Sequence, residues 1–370
     1  MRITFIMPGY PSGPSGGYKV VYEYASRLVS RGHEVTVIHP RCLKYAFPPK
    51  HLTLRNRVRR MQTWMSELVS RPLTDWHQTD KRVSLKFVDS LSARFIPSGD
   101  AVVATSWKTV NSVLRCPPTG GHKFYLIQGY ETWDGHKDLV DATWRSNLHK
   151  IVVSKWLLDL GNKLGAHDVT YIPNAVDERV YQITKPLEER PLQVAMTFSA
   201  MSIKGATDGI RALTIAREHF PDLKVVLFGK DRRQPYVPEW IEFHRAPAQR
   251  FIVDEIYNNS RLFLSSSWSE GFALPPAEAA SCGCAIVATD SGGIRDYIEN
   301  GVSGLLSPMQ NPDMLAHNLC LLLSNESLLQ KLAKAGHQSV RKLSWERSTD
   351  RLEALIGSIA NRQPRASLIH

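Results

Sequence analysis

Cysteine is scarce in this sequence, and long apolar runs are missing. Five cysteines occur among 370 residues, with no C-x-x-C spacing and no cysteine-histidine cluster, which excludes a cysteine-based zinc site. No apolar run approaches the ~20 residues that a transmembrane helix needs, and the opening segment Met1–Pro8 is too short for a signal peptide. These absences predict a cytoplasmic protein with reduced thiols and no metal site built from cysteine.

The fingerprint of a dinucleotide-binding enzyme is also absent. A nicotinamide-dependent oxidoreductase needs G-x-G-x-x-G directly after its first strand and an acidic residue at the end of its second. Here the first loop spaces its glycines without G-x-G, and the second predicted strand ends in His39 and Pro40. The sequence therefore argues against that class of enzyme.

Acidic residues are in short supply in the first half only. Residues 1–185 hold 26 Lys and Arg against 15 Asp and Glu, whereas residues 186–370 hold 20 of each. The whole net charge of +11 thus belongs to the first half. Such an asymmetry favours a polyanionic partner for that half.

The basic excess is densest over residues 41–71, where eight basic residues accompany one acidic residue, Glu67. Apolar residues recur there at helical spacing and include Trp64. The arginines at the amino-terminal end of this pattern are Arg55, Arg57, Arg59 and Arg60. Two interpretations stay open: a basic amphipathic helix on an anionic membrane surface, or a helix packed on the first domain with solvated arginines. Nucleic acid is not an expected partner, because no binding motif accompanies the charge.

Both halves alternate short β-branched runs with amphipathic stretches, which is the pattern of parallel sheets with crossover helices. The strands predicted in the first half are Arg2–Met7, Glu34–His39, Ala101–Thr105, Lys123–Ile127, Ile151–Ser154 and Val169–Ile172. Those predicted in the second half are Leu192–Phe198, Lys224–Phe228, Leu262–Ser265 and Ala285–Ala288. The predicted helices are Tyr18–Arg31, Thr207–His219, Asp313–Leu323 and Ser344–Ile359.

These elements predict an α/β protein of two doubly wound, Rossmann-like domains with a cleft between them. We expect the domains to span residues 1–180 and 181–345. Residues 346–370 are expected to form a closing helix that returns to the first domain, and then a polar tail. The irregular, charged segment Asn174–Arg190 predicts the linker.

Two glutamates stand out in the stretch "SEGFALPPAEAASCGC", residues 269–284. Glu270 follows a predicted strand, at the edge where open α/β sheets bind ligands. Pro275 and Pro276 mark the start of a helix, which would place Glu278 in its first turn. A helix amino terminus attracts a diphosphate, while carboxylates can accept hydrogen bonds from sugar hydroxyls. The pair could therefore hold the sugars at the two ends of a nucleotide sugar.

This stretch resembles the E-x7-E region of the retaining glycosyltransferases of family 4, which have the GT-B fold. Further segments resemble the same family in the same order, over nearly the whole chain. They are "SGGYKVVYEYASRLVSRGHEVTVIHP", "VSKWLLDLGNKLGAHDVTYIPNAVD", "SIKGATDGIRAL" and "SWERSTDRLEALI". The resemblance implies two Rossmann-like domains and the transfer of a sugar with retention of configuration.

The resemblance also implies roles for individual residues. Glu278 would bind the ribose of the nucleotide, Glu270 would contact the donor sugar, and Lys204 would meet the diphosphate. The remaining donor-binding residues would be Gly16, Gly17, Gly271, Phe272, Ala273 and Leu274. No metal and no cofactor are expected, because lysine, arginine and the helix dipole would offset the charge of the leaving group.

This sequence departs from the family at two places. The arginine expected a few residues before Lys204 is missing, so Lys230, Arg232 and Arg233 could share the diphosphate or could form a solvated turn. After the strand Lys123–Ile127, Gln128 stands where many members have a histidine. Gln128 can still hydrogen-bond a sugar but cannot act as a base.

The segment that follows Gln128 is a candidate for acceptor contacts, through Tyr130, Glu131 and Trp133; the alternative is a hydrated loop with one packed tryptophan. His33 is expected to cap or pack rather than to catalyse. Gly292 and Gly293 are expected to serve a turn.

The expected partners are a nucleotide sugar and a glycan or lipid-linked oligosaccharide acceptor, as in the synthesis of bacterial surface polysaccharides. The expected location is cytoplasmic, with a peripheral position on the inner face of the cell membrane as the open alternative. Two other functions stay open: a nucleotide-sugar epimerase of the same fold, and a catalytically silent nucleotide-sugar-binding scaffold.

Overall fold

The structure, a computed structural model, describes residues 1–11, 13–42, 74, 76–91, 95–133 and 135–360. The chain divides into two compact units. The first comprises Met1–Val153, Leu158–Ile172 and the residues from Glu346 onward. The second comprises Ser154–Leu157 and Pro173–Trp345.

The first unit is built on a parallel sheet of seven strands. In chain order they are β1 (Arg2–Ile6), β2 (Glu34–Cys42), β3 (Ser84–Ser90), β4 (Ala101–Ala104), β5 (His122–Ile127), β6 (His149–Val152) and β7 (Val169–Tyr171). Their order across the sheet is β3-β2-β1-β4-β5-β6-β7. The described helices that accompany them are α1 (Gly16–Ser30), α2 (Trp107–Leu114), α3 (Lys137–Trp144) and α4 (Lys155–Lys163), whose first residues group with the second unit.

The second unit holds a parallel sheet of six strands. They are β8 (Gln193–Thr197), β9 (Lys224–Gly229), β10 (Glu242–Arg245), β11 (Leu262–Ser265), β12 (Ala285–Thr289) and β13 (Leu305–Ser307), in the order β10-β9-β8-β11-β12-β13. Its helices are α5 (Ala206–His219), α6 (Gln249–Phe251), which continues as a π-helix over Ile252–Tyr257, α7 (Leu274–Ser281), α8 (Pro312–Ser324) and α9 (Glu326–Val340). The chain ends its described part with α10 (Trp345–Ala360).

The central strands are continuous apolar runs because helices cover both faces of a parallel sheet. In β4, β11 and β12 every residue is buried. These strands, together with β1, β5 and β9, lie within two residues of their predicted limits. The predicted α/β class is confirmed by the two parallel sheets.

Of the four strands at the sheet edges, the sequence predicted β7 and missed β3, β10 and β13. β3 and β10 each close one edge of a sheet, and β13 closes the other edge of the second. The ends of β10, Glu242 and Arg245, are exposed, and β13 has only three residues. These three strands carry polar residues or are short, so they lack the apolar run that identifies a buried strand.

The segment that was predicted to be a linker, Asn174–Arg190, is part of the second unit. Arg190 is buried, and its guanidinium donates hydrogen bonds to the carbonyl oxygens of Lys185, Tyr257, Ser260 and Cys282. A buried guanidinium is stable only when its donors are satisfied in this way. Arg190 is therefore a buried charge that fixes this segment to the second unit, and not a charge on an exposed linker.

Helix α10 lies against α1 within the first unit. Arg31 pairs with Asp350 at 2.7 Å and with Glu353 at 2.9 Å. His33 Nε2 lies 2.9 Å from an oxygen of Glu353, and its Nδ1 lies 3.0 Å from the amino nitrogen of Met1. The structure thus places His33 in a packing role, as predicted.

In each sheet, the direction in which consecutive strands are added changes once. In the second unit the reversal falls between β8 and β11, so the loops that leave these strands diverge to opposite faces of the sheet. The space between such loops, at the carboxyl ends of the strands, is where open α/β sheets bind ligands. In the first unit the same position lies between β1 and β4.

Candidate functional site

The two candidate residues Lys204 and Glu270 meet at the reversal point of the second sheet. Lys204 comes from the loop after β8 and Glu270 from the loop after β11. Lys204 Nζ donates a hydrogen bond of 2.8 Å to Glu270 Oε1, and the two side chains are 37% and 18% exposed. The ion pair is therefore accessible to a ligand at the carboxyl edge of the sheet.

Gly205 fixes the position of Lys204. Its φ of 58° lies in the left-handed region, and a Cβ there would lie 2.1 Å from the carbonyl oxygen of Ser266. Only glycine allows this approach of the two loops. The backbone N–H of Trp268 donates to the carbonyl of Ile203 at 2.9 Å, so the loop that carries Lys204 is joined to the loop that carries Glu270.

Glu278 lies on α7, which begins at Leu274 and not at the prolines. Glu278 is thus the fifth residue of the helix, so the prediction that it lies in the first turn is wrong. Ala273, with φ of 67°, turns the chain just before the helix, so the helix begins at Leu274, one residue before Pro275. The Glu278 side chain is buried, and the hydroxyl of Tyr257 donates to its Oε2 at 3.4 Å. Burial and the nearby Glu278 carboxylate raise the pKa of Tyr257 well above its usual value, so this hydroxyl keeps its proton.

Two backbone carbonyl groups in the segment from Glu270 to Ala273 accept hydrogen bonds that hold this segment in place. The N–H of Gly293 donates to the carbonyl of Glu270 at 3.2 Å, and the hydroxyl of Tyr297 donates to that of Ala273 at 2.6 Å. Within the described part of the chain, the N–H groups of Gly271, Phe272 and Ala273 make no such contact. Free N–H groups ahead of a helix favour the binding of an anion.

Gly292 and Gly293 allow this arrangement. Gly292 has φ of 88°, and a Cβ on Gly293 would lie 2.3 Å from the carbonyl oxygen of Gly271. Both glycines precede or begin a short 3-10 helix, Gly293–Asp296. They serve a turn, as predicted, and the turn presses directly against the loop that carries Glu270.

In the first unit, Gln128 lies beside the glycine-rich loop. Its Nε2 donates to the carbonyl of Gly17 at 3.0 Å, and Gly16 is the first residue of α1. A Cβ on Gly17 would meet only the Gln128 side chain, at 3.7 Å or more. Contacts of this length are ordinary van der Waals distances, so packing in this structure does not require glycine at position 17.

Comparisons with known proteins identify the fold. Residues 185–339 match the family model described as glycosyl transferases group 1. TarM of S. aureus, crystallised with fondaparinux, α-GlcNAc-glycerol and UDP, superposes with a TM-score of 0.74 over 96% of this chain and 99% of its own, at 10% identity. The chain has the GT-B fold.

A second structure and a sequence relative are also similar to this chain. The Anabaena protein Alr3699/HepE, crystallised with UDP and glucose, has a TM-score of 0.71 over 97% of this chain and 100% of its own, at 15% identity. An α-1,3-N-acetylgalactosaminyltransferase of Campylobacter jejuni, named for N,N'-diacetylbacillosaminyl-diphospho-undecaprenol, is 29% identical over 157 residues, which are 41% of this chain and 40% of that protein. The chain aligns with 23% to 40% of the length of the first three curated relatives that it matches.

An internal contact involves the residues before Lys204, where the resemblance led us to expect an arginine. The Asp231 carboxylate accepts hydrogen bonds from the N–H of Ala200 at 2.8 Å and from the hydroxyl of Ser199 at 3.1 Å. The loop before Lys204 is thus tied to the loop after β9 by an acid. Of the three proposed substitutes, Arg233 donates to the carbonyls of Val237, Pro238 and Ile241, while Lys230 and Arg232 are exposed.

The three candidate acceptor residues, Tyr130, Glu131 and Trp133, differ in their contacts. Glu131 Oε2 accepts from the hydroxyl of Ser106 at 2.7 Å and from the N–H of Trp107 at 3.2 Å, so it caps α2. Tyr130 donates to Asp141 at 2.7 Å. Trp133 is 50% exposed, so the alternative of a packed tryptophan is wrong. The acceptor role of these three residues stays a prediction.

The predicted membrane residues Arg55, Arg57, Arg59, Arg60 and Trp64 lie outside the described residues. Among the residues that are described, no helix is both long enough and apolar enough to cross a membrane. The same residues contain no group of three or more His, Cys, Asp or Glu side chains that could hold a metal ion.

Three residues that contact the loops of this site were not found from the sequence: Asp231, Tyr297 and Trp156, whose indole N–H donates to the carbonyl of Glu270. Asp231 and Tyr297 act through hydrogen bonds to residues distant in the chain, for which a sequence offers no signal. Trp156 could have been noticed, because it follows β6 closely and so stands near the carboxyl end of a strand.

Proposed function

We propose that this protein is a retaining glycosyltransferase that moves a sugar from a nucleotide-diphosphate donor to a glycan or lipid-linked acceptor. The observation that carries the proposal is the accessible ion pair of Lys204 and Glu270 at the reversal point of the second sheet. Its cation suits a diphosphate, and its carboxylate suits sugar hydroxyls. The match of residues 185–339 to group 1 glycosyl transferases supports the same class of reaction.

The proposed chemistry is a front-face transfer. The bond between the anomeric carbon and the leaving phosphate oxygen breaks while the acceptor oxygen bonds to the same face of that carbon. The proton of the acceptor hydroxyl passes to the leaving phosphate oxygen. Lys204 and the free N–H groups ahead of α7 would stabilise the charge on the diphosphate, and Glu270 would orient the sugar without attacking it.

A lipid-linked or surface polysaccharide acceptor is supported by the names of relatives. The C. jejuni relative is named for a diphospho-undecaprenol substrate, and a relative from Bacillus subtilis is named as a poly(glycerol-phosphate) α-glucosyltransferase. We propose an acceptor of this kind for this chain, with a role in surface polysaccharide synthesis. The epimerase and the silent scaffold are less well supported, since these relatives are named for transfer.

The first test compares Glu278→Gln with Glu270→Gln. We expect Glu278→Gln to weaken the binding of the free nucleoside diphosphate by roughly 10- to 100-fold, because a hydrogen bond to a charged group contributes about 1.5–3 kcal/mol. Glu270→Gln should instead lower turnover and change that affinity little. Calorimetry with UDP, GDP, ADP and dTDP measures affinity, and chromatography of products measures transfer. If UDP or GDP binds the Glu278 variant as tightly as the wild type, the ribose assignment is wrong.

The second test concerns the basic segment and a peripheral membrane position. We expect the wild type to sediment with vesicles that contain an anionic lipid and not with neutral vesicles. Changing Arg55, Arg57, Arg59 and Arg60 to Ser should weaken this binding roughly tenfold at low salt. Equal sedimentation of the two proteins would leave these arginines without a membrane role.

A further inference from the structure

Trp156 reaches the loop that carries Glu270. It belongs to the four-residue segment Ser154–Leu157, which groups with the second unit although the residues on both sides group with the first. The indole Nε1–H donates to the carbonyl oxygen of Glu270 at 2.8 Å and to that of Gly271 at 3.2 Å. The same segment is anchored once more where the N–H of Lys155 donates to the carboxylate of Asp296 at 3.1 Å.

The ring of Trp156 is held in place by Gly292. A Cβ on Gly292 would lie 2.9 to 3.0 Å from three atoms of the indole, and the φ of 88° already favours glycine there. The backbone of Glu270 pairs with that of Gly292 as a parallel bridge, with the N–H of Glu270 donating to Ser291 at 2.9 Å. The indole is thus packed against one partner of this bridge and hydrogen-bonded to the other.

These contacts act on the orientation of one carboxylate. The carbonyl of Glu270 has two donors, Trp156 and Gly293, and the N–H has one acceptor, Ser291. With both backbone groups held, the direction of the Cα–Cβ bond is fixed, and the hydrogen bond from Lys204 at 2.8 Å then holds the carboxylate at the end of that side chain. A site that must hold a sugar needs this precision from the residues behind it.

Resting on the proposed function, we propose that Trp156 is a positioning residue for the donor sugar. Its indole N–H holds the backbone of Glu270 and Gly271, and thereby aims the Glu270 carboxylate at the sugar of the nucleotide sugar. Glu278 lies on α7 and is held by Tyr257, which is a separate support. Loss of the indole N–H should therefore affect the sugar end of the donor and spare the nucleotide end.

The test removes the N–H and keeps the ring. Trp156→Phe is one variant; the other carries 3-benzothienylalanine at position 156, which replaces the indole N–H by sulfur in a ring of the same shape. Trp240→Phe is the control, because Trp240 lies in the same unit and its ring stacks on Arg217 at 4.4 Å. Calorimetry gives the affinities for UDP and UDP-glucose, or for GDP and GDP-mannose if the wild type prefers that base, and steady-state kinetics gives kcat and KM for the same donor.

We expect both Trp156 variants to lower kcat/KM for the nucleotide sugar roughly tenfold, the effect of one hydrogen bond, with the affinity for the free diphosphate within about twofold of wild type. The control should match the wild type in both. Unchanged kcat/KM in the benzothienyl variant would overturn the proposal, as would an equal loss of affinity for diphosphate and nucleotide sugar. If the wild type binds these diphosphates but transfers no sugar, the proposed function fails by itself; the positioning role is then judged by the affinity for the nucleotide sugar alone.

Discussion

Replacement of Lys204 by Met is expected to lower kcat by roughly 100- to 1,000-fold, the loss that follows removal of one preorganised group facing a developing negative charge. Methionine keeps the length of the side chain and removes the ammonium. Negative charge grows on the diphosphate as the bond to the sugar breaks, so Lys204 would act most strongly in the transition state. Because Lys204 is the side chain that the structure joins to Glu270, at 2.8 Å, the variant also frees that carboxylate from its partner.

Lys230→Met is the matched comparison for this prediction. Lys230 stands in the turn after β9, is exposed, and was the alternative cation for the diphosphate. Its replacement should change kcat by less than about twofold, as expected of a solvated charge. A larger loss of kcat in the Lys230 variant than in the Lys204 variant would indicate that the turn after β9, and not Lys204, binds the diphosphate.

Acidification is expected to destabilise the first unit through His39. This side chain is fully buried; its Nδ1 donates to the carbonyl of Gly9 at 3.1 Å, and the hydroxyl of Tyr22 donates to its Nε2 at 3.1 Å. Burial lowers the pKa of His39 from 6.5 to about 4, although the hydrogen bond to Gly9 opposes this shift. The unfolded chain therefore takes up a proton between about pH 6.5 and 4 that the folded chain does not. The free energy of unfolding therefore falls by about 3 kcal/mol as the pH drops through this window: the loss is absent above about pH 6.5 and complete below about pH 4.

Urea unfolding of the wild type and of His39→Asn, from about pH 7 to about pH 4, measures this effect. The Asn side chain has an amide that can still donate toward Gly9, but it does not titrate. The wild type should lose about 3 kcal/mol more than the variant on acidification. Parallel pH curves for the two proteins would show that His39 contributes nothing to the pH dependence.

His39 also holds the loop between β1 and α1, to which Gly9 belongs. Tyr18 donates to the same carbonyl at 3.0 Å, and its ring stacks on that of His39. The glycine-rich loop is thus fixed at its beginning by His39 and Tyr18, and at Gly17 by Gln128. The role predicted for Gln128 at the sugar stays a prediction; its amide nitrogen is already engaged in holding this loop.

The sequence by itself determined the fold class and the two glutamates. Buried parallel strands such as β1, β11 and β12 must be apolar throughout, so their runs are visible without a structure. Glu270 and Glu278 were noticed because a strand end and a pair of prolines can be recognised in the sequence, whereas Lys204 was assigned through the resemblance of its segment to the family. The tertiary structure decided what depends on distant contacts. It paired Lys204 with Glu270 across 66 residues, placed Asp231 against Ala200 where an arginine was expected, and brought Trp156 to Glu270 across 114 residues. Such contacts depend on which loops meet at the reversal point of a sheet, and strand order is set by the packing of the whole unit and not by any local pattern.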